Sequence, residues 1–134
     1  MLFLKLALEA VGVQNPIVEA KDGREAMDYL RGAGAYSDRQ RFPLPYLAFL
    51  DLKLPHVTGL ELLKWIREHT EFDSMILIVL TSSANLADVD NAYRLGANAY
   101  VVKPTGFEKL QVLARSIQDF WLVQNRLGKP FYEE

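Results

Sequence analysis

Residues 46–63, YLAFLDLKLPHVTGLELL, decide the fold. Tyr46 to Leu50 is a continuous apolar run, the pattern of a strand covered on both faces by helices, and it ends in Asp51. Thr58 and Glu61, three residues on, form a capping box for a helix that carries Leu60, Leu63 and Ile66. The same strand-then-helix arrangement returns downstream. Met75 to Leu80 is a second apolar run and leads into Thr81; Ala99 to Val102 is a third and leads into Lys103 and Pro104. Between these runs Leu86, Val89 and Tyr93 mark a helix stopped by Gly96. After them Thr105 and Glu108 repeat the capping box before Phe107, Leu110, Ala114, Ile117 and Trp121. The sheet is therefore predicted to be parallel. The carboxyl ends of parallel strands open onto one crevice, so the Asp51 carboxylate, the Thr81 hydroxyl and the Lys103 ammonium are expected to face one pocket. That combination suits a carboxylate that accepts a phosphoryl group while the hydroxyl and the cation hold its oxygens.

Upstream, Leu4, Ala7, Leu8 and Val11 recur at helical spacing until Gly12. Pro16 to Ala20 reads as a short strand. Asp22 caps the next helix with Glu25 three residues on, and Ala26, Tyr29 and Leu30 form its buried stripe. Arg31 to Pro45 is loop. Within it Gly32-Ala33-Gly34 is a helix stop and turn rather than a phosphate cradle, because it follows a helix instead of joining a strand to one. The order is α-β-α-β-α-β-α-β-α, an α/β scheme without a leading strand, an internal repeat or a low-complexity linker.

Composition narrows the function. With 134 residues, half of them apolar, the chain fits one globular domain. A net charge of −2 gives no basic field for nucleic acid, and Arg39 and Arg41 read as a solvated loop. With no cysteine, disulfides, thiolate metal sites and cysteine nucleophiles are excluded, which suits the cytoplasm. No apolar stretch approaches the length of a membrane span, so no membrane partner is expected. His56 and His69 lack ligand spacing and read as loop or surface residues. Ser82 and Ser83 read as helix caps. A nucleotide-binding or hydrolytic enzyme is disfavoured, since there is neither a glycine-rich strand-to-helix loop nor a His-Asp-Ser set.

FLDLKLPHVTGLELL, LTSSAN and GANAYVVKP resemble the receiver domain of two-component response regulators across almost the whole chain. RGAGAYSDRQRFPLP and DFWLVQN resemble the small single-domain receivers that partner phytochrome-type histidine kinases. The resemblance implies a flavodoxin-like, doubly wound parallel sheet of strand order 2-1-3-4-5. It further implies that Asp51 takes a phosphoryl group from a kinase phosphohistidine, that Lys103 and Thr81 contact its oxygens, and that Tyr100 turns inward in response. The expected metal is Mg²⁺, held by Asp51, by the Lys53 backbone carbonyl and by an acidic pair after the first strand. Aligned on the family, MLFLKLALEA falls inside the first helix, so the first strand and that pair are missing from this sequence.

The expectation is thus a single receiver domain over 1–134, shortened at its amino end, with a tail from about residue 126. It would signal by protein contacts rather than act as an enzyme. Leu86, Tyr93, Tyr100, Phe107, Phe120 and Trp121 populate the elements of its output surface. Leu127, Phe131 and Tyr132 suggest a homodimer through the last helix and tail. The alternative is a pseudo-receiver, an interaction module that is not phosphorylated because the acidic pair is absent.

Overall fold

The computed structural model describes residues 8, 10, 12, 17–53 and 56–120. The described elements are, in order, α1 (Gly23–Arg31), β1 (Leu47–Leu50), α2 (Gly59–Arg67), β2 (Ile76–Thr81), α3 (Leu86–Arg94), β3 (Ala99–Val102) and α4 (Phe107–Ile117). Single 3₁₀ turns at Gly34–Tyr36 and Thr70–Phe72 punctuate the loops. Leu8 and Ala10 carry helical backbone, and Gly12 takes φ +91°, the left-handed conformation expected of a helix stop.

The three apolar runs become the three strands. They form one parallel sheet of order β1-β2-β3, with Leu50 level with Val79 and Thr81 level with Val102. This is the 3-4-5 portion of the expected strand order. From Leu77 to Thr81 every residue of the central strand β2 is buried. Alternate residues point to opposite faces, so continuous burial means that both faces are covered, as the unbroken apolar run requires. The core gathers Leu77 and Val79 with Leu50, with Leu62, Leu63 and Ile66 of α2, and with Leu30 of α1.

The helix ends follow the capping chemistry. Asp22 caps α1, its carboxylate accepting from the Glu25 amide at 2.8 Å, and Thr58 caps α2, its hydroxyl accepting from the Glu61 amide at 3.2 Å. Gly32 closes α1 with φ +68°, its amide returning to the Asp28 and Tyr29 carbonyls.

Several expectations need correction. Ile17 to Ala20 carry no strand; Pro16 lies outside the described residues. A strand exists by its ladder, and among the described residues β1 pairs with β2 alone, which leaves this segment without a partner. At α4 the cap is Gly106, at φ +91° and without a side-chain bond. The helix begins one residue later than the Thr105 box requires. At α3 the cap is Asn85, whose side chain accepts from the Ala87 amide at 2.8 Å, while Ser83 instead donates to Asp88 at 2.6 Å.

Arg39 is not a solvated side chain. Its guanidinium donates to the carbonyls of Tyr29 (2.8 Å), Leu30 (2.6 Å) and Phe42 (3.1 Å), tying the long loop to the end of α1. Arg67 does the same at the amino edge of the sheet. It bonds the carbonyls of Gly96 (3.0 Å), Phe72 (3.1 Å) and Met75 (2.9 Å) and the Asn98 side-chain oxygen (2.9 Å). Burial lowers its pKa, an effect that Asp73 opposes. His69 is packed as well, its ring 4.4 Å from that of Trp65 and its Nδ1 2.7 Å from the Trp65 carbonyl.

The chain divides into two compact units. Residues 20–102 hold the sheet and the first three helices, and the described residues before 20 together with 103–120, which include α4, make up the other. In the latter, Leu8, Ala114 and Ile117 are buried.

Candidate functional site

Asp51 follows β1 directly, and Thr81 is the last residue of β2. The strands are parallel neighbours, about 4.8 Å apart, and Leu50 is level with Val79. Asp51 lies one position beyond that level and Thr81 two, so both stand at the carboxyl edge of the sheet. Among the described residues no strand lies between them.

Local structure orients the carboxylate. The Lys53 amide donates to Asp51 Oδ1 at 3.0 Å. Behind it the first residue of α2, Gly59, donates its amide to the Leu52 carbonyl at 3.1 Å. A Cβ on Gly59 would fall on the Asp51 carbonyl oxygen and come within 2.6 Å of the Leu52 Cα. Glycine is therefore what lets α2 begin against the Asp51 backbone. Sequence reasoning missed this residue, although a glycine immediately after the cap Thr58 was its visible sign.

Thr81 is fully buried, and its hydroxyl has no hydrogen-bond partner among the described residues. An unmade bond at a buried hydroxyl costs about 1–3 kcal/mol. Buried groups of this kind are rare in native structures, and each asks for a reason.

Tyr100 lies in β3, level with Val79, and packs against the core. Its phenol donates to the Ser83 carbonyl at 2.8 Å, in the loop that follows Thr81. Its backbone amide donates to the Tyr93 hydroxyl at 3.1 Å. Lys103 follows β3 directly in the chain, as the runs predict, and belongs to the other compact unit.

The His56 backbone takes φ +68°, and its Nε2 lies 3.9 Å from the Asp22 carboxylate. Among the described residues no three of His, Asp and Glu form a group able to hold a metal ion. The two ligands expected from the sequence, Asp51 and the Lys53 carbonyl, therefore stand without an acidic cluster among the described residues. A Mg²⁺ ion demands a near-octahedral set, commonly one or two carboxylates completed by phosphate oxygens and water. The two donors would be a contribution to such a set and not a site on their own.

Leu86 is 80% exposed and Tyr93 48% exposed on α3; Phe107, Val112 and Phe120 are exposed in the other unit. Trp121, Leu127, Phe131 and Tyr132 lie outside the described residues. Among the described residues no helix is long and apolar enough to cross a membrane.

Comparison with known proteins agrees with this geometry. The profile of the response regulator receiver domain matches residues 2–115. The probable methanogenesis regulatory protein FilR2 of Methanothrix harundinacea is 35% identical over 133 residues, which cover 97% of this chain and 81% of that protein. The response regulator Rcp1 of Synechocystis is 32% identical over 115 residues, 86% of this chain and 76% of Rcp1. The solved Mn²⁺-bound form of Rcp1 superposes with a TM-score of 0.84 at 30% identity, covering 95% of this chain and 89% of that one. The crystal structure of the phosphorylated cyanobacterial phytochrome response regulator RcpA superposes with a TM-score of 0.87 at 32% identity, with the same coverage of 95% and 89%. The chain belongs to the response regulator receiver domain family, with the flavodoxin-like fold, and is homologous to the phytochrome response regulators.

Proposed function

We propose that this receiver is a phosphoacceptor whose acceptor is Asp51, and that it signals through protein contacts. In the proposed step a carboxylate oxygen of Asp51 attacks the phosphorus of a kinase phosphohistidine. The N–P bond breaks, the imidazole leaves with the bonding pair and takes up a proton, and an acyl phosphate remains on Asp51. The Lys53 amide, already on Oδ1, helps to hold the carboxylate in one orientation. Thr81 and Lys103 would meet the phosphoryl oxygens, one as a hydroxyl donor and one as a cation. A divalent ion, when bound, would offset the repulsion between the two anions, with Asp51 and the Lys53 carbonyl among its ligands.

The observation that carries the reading is the buried, unpartnered Thr81 hydroxyl at the edge that Asp51 shares. A donor kept without a partner, at a cost in stability, is accounted for if a phosphoryl oxygen is its partner in the modified state. Tyr100 supports it further, because its phenol is bonded two residues beyond Thr81. Movement of the Thr81 hydroxyl toward a phosphoryl group would pull the Ser83 loop and bias Tyr100 between two positions. A phytochrome-type histidine kinase is the proposed donor, the cytoplasm the proposed compartment, and a homodimer through the last helix and tail the proposed assembly.

A second reading is favoured by the lack of an acidic cluster among the described residues: a pseudo-receiver that acts by binding alone. The two are separated by treating the chain with acetyl phosphate or phosphoramidate, with and without Mg²⁺, beside Asp51→Asn, and reading intact mass. A gain of one phosphoryl group that requires Mg²⁺ and is lost in Asp51→Asn is the expected result. Absence of labelling in folded protein favours the pseudo-receiver.

A further inference from the structure

Two tyrosine hydroxyls and a serine close a ring of hydrogen bonds on one side of the sheet. The Tyr100 phenol on β3 donates to the Ser83 carbonyl at 2.8 Å. The Ser83 hydroxyl donates to the Asp88 carboxylate at 2.6 Å, in the first turn of α3, and accepts from the Asn85 amide at 3.3 Å. Five residues further along the same helix stands Tyr93, whose hydroxyl accepts from the Tyr100 backbone amide at 3.1 Å. All of these residues belong to the Ala20–Val102 unit. Tyr100 is thus held twice, its ring by the loop after Thr81 and its backbone by α3.

Packing does not require the second of these bonds. Tyr93 is 48% exposed, and a phenylalanine would fill the same space. β3 is the last strand of the described sheet, and an amide on such a strand ordinarily finds water. Here a side-chain hydroxyl takes it, and that hydroxyl is carried by the helix that Ser83 also grips. A bond of this kind fixes position more than it adds stability.

We propose that Tyr93 is a positioning residue for the Tyr100 switch. Its hydroxyl sets the place of the Tyr100 backbone relative to α3 and so keeps the Tyr100 ring on the Ser83 carbonyl. The inference rests on the reading of Tyr100 as the responsive aromatic. A displacement of the Ser83 loop then reaches α3 by two routes, directly through Asp88 and around the ring through Tyr100 and Tyr93. Without the Tyr93 hydroxyl one route is cut, and the Tyr100 ring populates a second orientation.

The test is made on the whole chain without phosphorylation, so that it stands apart from labelling of Asp51. Fluorotyrosine NMR, with the Tyr100 line assigned by Tyr100→Phe, is recorded with amide hydrogen exchange for the wild type and Tyr93→Phe. The substitution removes one oxygen from a half-exposed ring, so folding is not at stake. The expected result is a shifted or doubled Tyr100 line and faster exchange of the Tyr100 amide, by about threefold to tenfold, the ratio set by one hydrogen bond of ordinary net strength. Amides of β1 should keep their rates. An unchanged Tyr100 line and amide would overturn the proposal, and so would equal acceleration in all three strands, which would mark a general stabilising bond. If Asp51 resists labelling while these changes appear, the phosphoacceptor reading fails and the role of Tyr93 stands.

Discussion

Thr81 is where stability and function separate at the scale of one residue. Its hydroxyl is buried without a partner among the described residues, so replacing it by the isosteric Val removes an unsatisfied donor and fills the same volume. Thr81→Val is expected to raise unfolding stability by about 1 kcal/mol, read by urea denaturation, while lowering the Asp51 labelling or the response of Tyr100. A loss of stability would mean that the hydroxyl has a partner after all. His56 is the opposite case, a residue held in an unfavourable backbone conformation at φ +68°. The left-handed conformation costs a non-glycine residue about 1–2 kcal/mol, partly offset in a glycine by its freer unfolded chain. His56→Gly is therefore expected to stabilise by about 1 kcal/mol and to raise Tm by roughly 2–5 °C. Calorimetry showing a fall would mean that the contact with Asp22 outweighs the backbone term. The positions of Asp51, Thr81 and Lys103 at strand ends were legible because each terminates an apolar run. The functions of Gly59 and Tyr93 were not, since a close backbone approach and a hydroxyl-to-amide bond across elements depend on tertiary contacts that spacing does not encode.

At the scale of elements, the strands and helices that bury a face were legible, and the pieces held by long-range polar bonds were not. β3 matches its apolar run residue for residue, β1 starts one residue later than its run, and β2 is displaced from its run by one residue at both ends. The loop from Arg31 to Pro45 shows the opposite behaviour, because Arg39 and Tyr29 order it through carbonyls that no local pattern points to. The Tyr29 phenol donates to the Pro43 carbonyl at 2.8 Å, and its ring lies 5.1 Å from that of Tyr36 and 6.1 Å from that of Phe42. Burial raises the Tyr29 pKa above the usual tyrosine value, with the Arg39 charge opposing. A folded value above the unfolded one, near 10, favours the folded state fully below that pH and is lost as pH rises through the folded value. Wild type should thus exceed Tyr29→Phe by about 1 kcal/mol near neutrality, and the two stability curves should close above about pH 10. Denaturant unfolding across alkaline pH would show this. A gap that stays constant would mean that the phenol never ionises within the folded loop.

For the whole molecule, the family and fold rest on motifs that lie in the sheet unit and just beyond it, whereas the proposed assembly is argued from the other unit. α4 buries Ala114 and Ile117 and leaves Phe107 and Val112 exposed, and Phe120 beyond its end is exposed too. Exposed apolar side chains on this helix are available to a partner. The proposed homodimer would cover those side chains. Val112 is the place to test this, because it is the most exposed apolar residue of α4 and its replacement disturbs no buried contact. Val112→Glu puts two like charges into a symmetric contact if the helix faces its copy. The expected result is a dimer for the whole chain by sedimentation, weakened at least tenfold by Val112→Glu, about 1.4 kcal/mol. Removing the residues after Gly128 should weaken it further. If the whole chain, Val112→Glu and the shortened form all sediment as the same monomer, the exposed side chains of α4 serve a different partner and the receiver acts as a single copy.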